Sequence, residues 1–208
     1  MEQVLDVYKR PYSKENPLIC MDESPKQLIK ETRIPIEMKS GSERKEDYEY
    51  ERCGVCNIFM VNEPLKGKRH IKVTEFKTKK DWAEFIKEIA DLYYSKAKKI
   101  TLVMDNYGTH TPGALYEAFL PQEAKRILDR FDFVYTPKHA SWLNMAEIEL
   151  NVLMGQCLSR RIDNMDEIKK EVNAWQNHRN NKDCKIEWRF TSKNARIKLK
   201  KLYPSIHE

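Results

Sequence analysis

Short apolar runs bounded by polar or turn-forming residues recur along the chain and are typical of β-strands. Five of them predict strands, at 17–23, 48–62, 68–76, 99–104 and 131–137. The second and third are separated by residues 62–67 (NEPLKG), whose turn composition predicts a β-hairpin. The first run, PLICMDE, stops at Asp22 and Glu23, and the polar residues 24–47 that follow are predicted to be irregular.

From Thr78 onward the spacing of apolar residues changes to the helical period. One amphipathic face is formed by residues at intervals of three and four: Trp82, Phe85, Ile86, Ile89, Ala90 and Tyr93. Further helices are predicted over 112–128 with a break near Pro121, over 144–158, from 164 onward, and over 191–202. Pro112 suits a first helical position, and Asn164-Met-Asp-Glu167 fits a capping box.

The order of these elements is strand, hairpin, helix, strand, helix, strand and then helices, which predicts an α/β fold with a mixed sheet flanked by helices. The helix between the hairpin and the strand at 99–104 predicts a right-handed crossover to a parallel neighbour of that hairpin's second strand. The 208 residues suit one domain, and no repeat, low-complexity tract or internal linker is visible.

The amino-acid composition excludes only a few classes of function. The net charge of +6 suits a polyanionic partner such as nucleic acid, although many other proteins carry a similar charge. No apolar run approaches the roughly 20 residues of a membrane helix, and the N-terminus has no signal-peptide pattern, so we expect an intracellular protein. Five cysteines without a signal peptide indicate free thiols. Cys53 and Cys56 form a CxxC without a convincing second ligand pair for zinc.

Two of the predicted strands, LICMD and ITLVMD, end in an aspartate, Asp22 and Asp105. Functional groups gather at the carboxyl ends of strands in α/β sheets. If the strands are neighbours, the two carboxylates repel each other, and a divalent cation removes that repulsion. Oxygen-only ligands suit Mg²⁺ or Mn²⁺. The alternative is that each aspartate caps a strand or begins a turn.

A third carboxylate is offered by the predicted helix at 144–158. Glu147 and Glu149 are two residues apart and therefore point to different sides of that helix. The core stripe is formed by Leu143, Ala146, Leu150, Leu153 and Cys157. Glu147 lies on a polar stripe beside it. The alternative for Glu147 is structural, because Asn144-Met-Ala-Glu147 also fits a capping box.

Asp22-Glu23, VMDNYGTH and SWLNMAEIEL resemble the DDE-superfamily transposases, in particular the six-thirty type in the bacterial insertion-sequence branch of the mariner superfamily. The tail WRFTSKNARIKLKKLYP is also similar to that branch, so the resemblance runs from about residue 5 to 204. It implies a ribonuclease-H-like fold, a single catalytic domain over 1–208 with a basic C-terminal helix, and a metal-bound triad of Asp22, Asp105 and Glu147. Glu147 is preferred to Glu149 because it matches the Leu-Asn-x-x-Glu motif.

The resemblance further implies metal-dependent cleavage and strand transfer of DNA, in which an insertion sequence is cut out and pasted elsewhere. Two Mg²⁺ or Mn²⁺ ions would serve the reaction, and a homodimer would bind double-stranded DNA in the bacterial cytoplasm, with the nucleoid. Relatives carry an N-terminal helix-turn-helix DNA-recognition region that this chain does not contain. We expect that region on a separate subunit or reading frame, unless it has been lost.

Other residues are candidates for contacts with the triad or with DNA. Their positions beside the motifs, or their positive charge, single out Asn106, His110, His139, Trp142, Asn144, Arg160, Arg161, Arg196 and Lys198. The structural alternatives are a loop position for His110, a position on the approach to a helix for His139, a core position for Trp142, and a solvated charged surface for the three arginines and Lys198. Two rival functions also remain open: a ribonuclease-H-like nuclease that only cuts, and a catalytically silent DNA-binding or assembly subunit.

Overall fold

The computed structural model describes residues 1–138 and 140–203, apart from the side chain of Leu202. One sheet contains five strands: β1 Leu18–Glu31, β2 Tyr50–Glu63, β3 Lys68–Thr74, β4 Ile100–Met104 and β5 Phe131–Tyr135. Their order is β3-β2-β1-β4-β5. The pairs β3–β2 and β2–β1 are antiparallel, whereas β1–β4 and β4–β5 are parallel. The predicted mixed sheet is therefore confirmed.

Helices occupy the predicted regions and begin at the predicted signals. The α-helices are α1 Glu2–Tyr8, α2 Lys79–Glu88, α3 Pro112–Ala118, α4 Pro121–Leu128, α5 Met145–Gln156, α6 Met165–Asn181 and α7 Ser192–Lys198. Thr78 and Asp81 form a capping box at α2. Asn164 caps α6 by accepting from the Glu167 N–H at 2.8 Å. The sequence analysis missed only α1, and none of these helices is long and apolar enough to cross a membrane in the part of the chain described.

Helices cover both faces of the sheet because successive strand residues point to opposite sides. On one face α2, α3 and α4 pack against Ile19, Met21, Phe59, Val61, Ile100, Leu102 and Met104. On the other face α1, α5, α6 and α7 pack against Leu18, Cys20, Leu28, Cys56, Ile58, Met60 and Val103. Burial on both sides explains why the central strands are almost uniformly apolar in sequence.

The prediction that the first strand ends at Asp22 is wrong. β1 continues to Glu31, because its backbone hydrogen-bonds to β2 from Cys20↔Asn62 as far as Glu31↔Tyr50. This extension pairs with β2 but not with β4, and most of its side chains are polar and only partly buried, so the apolar pattern did not reveal the strand. The parallel pairing of β1 with β4 stops at Cys20↔Val103. Asp22 therefore lies just beyond the residues that pair with β4, although it still pairs with Met60 of β2.

The predicted neighbour of the strand at 99–104 also needs correction. β4 does not lie beside the second strand of the hairpin, β3, which forms an edge of the sheet. It lies between β1 and β5, parallel to both. The chain crosses over β2 and β1 because Ile19, Cys20 and Met21 are fully buried and need a partner strand on both sides. This crossover places Asp22 and Asp105 on neighbouring strands.

Candidate active site

Asp22 and Asp105 lie at the same end of β1 and β4, just beyond the residues through which these two strands pair with each other. Asp105 directly follows Met104, the last residue of β4. Glu147 approaches from the first turn of α5. Burial, together with the nearby charges of Glu23, Asp105 and Glu147, raises the pKa of Asp22 to about 7. The three acids predicted from the sequence are therefore close enough to influence one another.

Asn144 fastens the start of α5 to β1. Its side chain is fully buried, and its Nδ2 donates to the Met21 carbonyl at 2.7 Å and to Asp22 Oδ2 at 3.3 Å. Its Oδ1 accepts from the Ala146 N–H at 3.1 Å, which caps the helix. The other oxygen of Asp22, Oδ1, accepts from the Glu23 N–H at 2.8 Å. Asn144 thus orients Asp22 and places the first turn of α5, including Glu147, beside it.

The two glutamates of α5 have different surroundings. Glu149 is 1% exposed and forms ion pairs with Arg69 Nε at 3.0 Å and Arg179 Nη2 at 2.9 Å. Glu147 is only partly buried, and in the described part of the chain no hydrogen bond or ion pair engages its carboxylate. The capping box considered for Glu147 does not form, since only the Asn144 side chain caps α5. Glu147 is therefore the glutamate whose oxygens are available to a ligand.

His110 lies between Asp105 and a further acid, Glu23. Its Nδ1 is 2.6 Å from Asp105 Oδ1, and its Nε2 is 3.0 Å from Glu23 Oε2. Burial opposes the charged imidazole, but the contacts with Asp105 and Glu23 outweigh it and raise the pKa of His110 to about 9. Burial likewise opposes the ionised form of Asp105, yet the His110 contact lowers the pKa of that carboxyl below its usual value. Asp105 is therefore kept ionised.

Two residues of this region were missed by the sequence analysis as separate functional groups. Glu23 was noted only as a companion of Asp22, and Lys77 was not considered. Lys77 Nζ lies 3.8 Å from Glu23 Oε1 and 4.8 Å from the centre of the Tyr107 ring. The sequence shows no signal for Lys77, because the β3–α2 connection that carries it is distant from both motifs.

A cavity of about 500 Å³ opens beside Asp105. It is lined by Asp105, Asn106, Tyr107, Tyr135, Thr136, Pro137, Lys138 and Ser141. The predicted candidate Asn106 therefore faces this cavity. Trp142 is 43% exposed and packs edge-on against Phe190, with ring centres 5.4 Å apart. His139, another predicted candidate, lies outside the described residues.

The predicted basic contacts have structural partners, with one exception. Arg160 pairs with Glu167 at 2.9 Å, and Arg161 pairs with Glu31 at 2.6 Å. Arg196 forms a two-pronged contact with Glu2, at 2.7 and 2.8 Å. Lys198 is exposed, and no ion pair of its own occurs among the described contacts. These three arginine contacts tie elements of the fold together and do not involve the acids of the site.

The donor set at the sheet edge fits a hard divalent cation. The available groups are the carboxylate oxygens of Asp22, Asp105 and Glu147, and oxygen ligands suit Mg²⁺ or Mn²⁺. The raised pKa of Asp22 reflects crowding of negative charge that such a cation would relieve. Among the described residues, however, no three His, Cys, Asp or Glu side chains are already gathered closely enough to form a ready-made metal site. The carboxylates would have to move closer around an ion.

Solved structures of a mariner transposase share this fold. A Mos1 transposase paired-end complex with the left transposon end is 15% identical and has a TM-score of 0.58, covering 85% of this chain and 52% of that chain. The Mos1 paired-end complex with Mn gives 15% identity and 0.60 over 88% and 54%. The isolated Mos1 catalytic domain gives 13% and 0.56 over 90% and 91%. The predicted ribonuclease-H-like fold is thus confirmed, and the chain spans about half the length of the transposase chains in the DNA complexes.

No match to the chain was found among curated proteins. The sequence itself matches a known family over residues 17–169, a range that includes β1, β4 and all of α5 and contains Asp22, Asp105 and Glu147. That family is described as the DDE superfamily endonucleases. Because the match extends over most of the chain, the protein belongs to the DDE superfamily endonucleases.

Proposed function

We propose that this chain is the catalytic domain of a DNA transposase that cleaves DNA strands and joins them to a target. The observation that carries the proposal is that the buried carboxyl of Asp22 lies near enough to Asp105 and Glu147 for both of their negative charges to act on it. Membership of the DDE superfamily endonucleases supports a DNA-cleaving enzyme. The reaction would move an insertion sequence by cut and paste, with residues 1–208 acting as one catalytic domain.

Asp22, Asp105 and Glu147 would hold two Mg²⁺ or Mn²⁺ ions through their carboxylate oxygens. When bound, the ions would activate water or a DNA 3′-hydroxyl and stabilise the leaving oxygen. The protein's own groups prepare this arrangement. His110 keeps Asp105 ionised, and Asn144 orients Asp22 through Oδ2. No side chain is required as a nucleophile, because water or the DNA end attacks the phosphate.

Double-stranded DNA is the proposed partner. The Mos1 structures with the same fold are described as complexes with a transposon end and as complexes with Mn or Mg, which supports both DNA and a divalent metal. The net charge of +6 favours association with a polyanion. The proposal also includes a homodimer and a separately supplied helix-turn-helix region that recognises the DNA ends.

The proposal is tested with supercoiled plasmid and with an oligonucleotide that carries a pre-cleaved 3′-hydroxyl end. We expect the protein to nick the plasmid and to join the oligonucleotide to it in Mn²⁺, and to do neither in EDTA. Asp105→Asn and Glu147→Gln should each lose at least about 100-fold in both reactions, because each removes a charged metal ligand. Glu187→Gln, at an exposed surface position, is the matched control and should retain full activity.

The same assay separates the rival functions. Nicking without joining would identify a nuclease that only cuts. The absence of both reactions in the wild-type protein, with the pre-cleaved end supplied, would reject an autonomous nuclease and leave either a domain that needs its DNA-recognition partner or a silent DNA-binding subunit.

A further inference from the structure

Four side chains of alternating charge form a chain that leads from the protein surface to Asp105. Lys77 Nζ is 3.8 Å from Glu23 Oε1, Glu23 Oε2 is 3.0 Å from His110 Nε2, and His110 Nδ1 is 2.6 Å from Asp105 Oδ1. The Glu23 and His110 side chains are 6% and 0% exposed. The contact between them is an ion pair, since its geometry does not satisfy that of a hydrogen bond. Glu23 and His110 therefore face each other in the interior, where their contact holds the imidazole ring against Asp105.

This chain connects the two strands that carry the aspartates. Glu23 is adjacent to Asp22 in β1, and His110 lies in the connection that follows β4. His110 thus bridges the two acid-bearing segments at the point where the parallel pairing of β1 and β4 has ended. Apart from this bridge, no hydrogen bond or ion pair among the described contacts joins the side chains of Glu23 or Asp22 to the segment that carries Asp105.

The imidazole ring is held in place from several sides. The backbone N–H of His110 donates to the Tyr107 carbonyl at 2.9 Å, and the His110 carbonyl accepts from the Tyr135 hydroxyl at 3.3 Å. The ring stacks near Trp82, with centres 5.9 Å apart, and meets the edge of Tyr107 at 5.7 Å. A fully buried ring in this position cannot touch DNA, so the sequence-based alternative of a DNA contact is not supported for His110.

We propose that His110 and Glu23 are positioning residues for the metal site. His110 occupies Oδ1 of Asp105 and leaves Oδ2 as the oxygen free to bind an ion, while Glu23 acts through His110 by fixing the orientation of the ring. This inference rests on the proposed function, because it assumes that Asp105 is a metal ligand. Residues that hydrogen-bond to metal-ligating carboxylates typically contribute about 10–100-fold to metal affinity or activity.

The test is a titration of the whole protein with Mn²⁺, in which free Mn²⁺ is measured by electron paramagnetic resonance. His110→Gln removes the group beside Asp105, and Glu23→Gln keeps the size of its side chain but removes the charge. Each variant is expected to raise the dissociation constant for Mn²⁺ about 10–100-fold. The melting temperature of Glu23→Gln should be unchanged. His178→Gln, an exposed histidine of α6, is the matched control and should bind Mn²⁺ like the wild type.

The double variant tests whether Glu23 acts through His110. We expect Glu23→Gln to add less than about twofold in the His110→Gln background, because coupled residues are not additive. Wild-type Mn²⁺ affinity in both single variants, or effects that multiply in the double variant, would overturn the proposal. If His110→Gln does not fold, Glu23→Gln alone decides, and wild-type affinity in it overturns the proposal. The proposed function fails separately, if the wild-type protein binds Mn²⁺ but neither cleaves nor joins DNA.

Discussion

Two glutamates two residues apart in α5 have opposite roles because a helix turns them to different sides. Glu149 neutralises Arg69 and Arg179 in the interior, whereas the carboxylate of Glu147 remains available beside Asp22. A general preference for acidic residues in this helix could not distinguish them. The Leu-Asn-x-x-Glu motif favours Glu147, and the ion pairs that engage Glu149 leave Glu147 as the glutamate of the two that is available to a ligand.

Substitution of each glutamate should separate stability from activity. Glu149→Gln leaves two buried guanidinium groups without a countercharge, so we expect the free energy of unfolding to fall by about 3 kcal/mol. Glu147→Gln should leave that free energy unchanged within about 0.5 kcal/mol while DNA cleavage is lost. Urea unfolding and plasmid nicking measure the two effects. Equal stability losses in the two variants would contradict the assignment.

His70 should make the fold sensitive to mild acid. Burial, with Lys66 and Arg69 nearby, lowers the pKa of His70 from 6.5 to about 4. The unfolded chain therefore binds a proton between pH 6.5 and 4 that the folded protein does not, and stability is lost as the pH falls through this window.

We expect His70→Phe to reduce the difference in melting temperature between pH 7 and pH 5. Phenylalanine retains an aromatic ring for the stack on Tyr93, whose centre is 3.7 Å from that of His70. His178→Phe, at an exposed position, should keep the wild-type difference. A His70→Phe protein that loses as much stability in acid as the wild type would show that other groups are responsible.

At the scale of elements, the sequence predicted the helices well and the first strand poorly. Pro112, Pro121 and Asn164 marked the starts of α3, α4 and α6, because those signals are local. The extension of β1 beyond Asp22 depends on pairing with β2, which begins far along the chain. The contacts of His110 with Glu23 and of Glu149 with Arg69 escaped prediction for the same reason, since each joins separate elements.

Asn144 offers a test of how α5 is coupled to the site. Asn144→Ala removes a helix cap and a buried hydrogen bond to β1, so we expect a loss of about 2 kcal/mol in unfolding free energy. Cleavage should also fall about tenfold or more, because Asp22 loses its Nδ2 donor. Thermal unfolding and plasmid nicking are the measurements.

Asn164 supplies the matched comparison, because it caps α6 by the same kind of contact without touching an acid of the site. Asn164→Ala should cost about 1 kcal/mol and leave cleavage unchanged. If Asn144→Ala and Asn164→Ala reduce DNA cleavage equally, the hydrogen bond between Asn144 and Asp22 does not contribute to cleavage.

At the scale of the whole molecule, the alternation of strands and helices predicted a mixed α/β sheet, and the resemblance supplied its ribonuclease-H-like identity. The position of β4 between β1 and β5 could not be read from the alternation, because strand order depends on which apolar faces meet in three dimensions. That strand order nevertheless brings the acidic residues to one end of the neighbouring strands β1 and β4. It places Asp22 near Asp105, and α5, which packs on the face of the sheet that carries Cys20, then adds Glu147.

The chain spans about half the length of the transposase chains in the Mos1 DNA complexes. We propose DNA cleavage and joining for residues 1–208. The central claim is therefore chemical: Asp22, Asp105 and Glu147 form one divalent-metal site.

The most direct test of that claim is anomalous X-ray scattering from crystals of the protein grown with Mn²⁺. The account predicts anomalous density bounded by the carboxylates of Asp22, Asp105 and Glu147, and weakened or absent density in crystals of Asp105→Asn. Wild-type crystals without anomalous density at these carboxylates, or density that is unchanged in Asp105→Asn, would contradict the account.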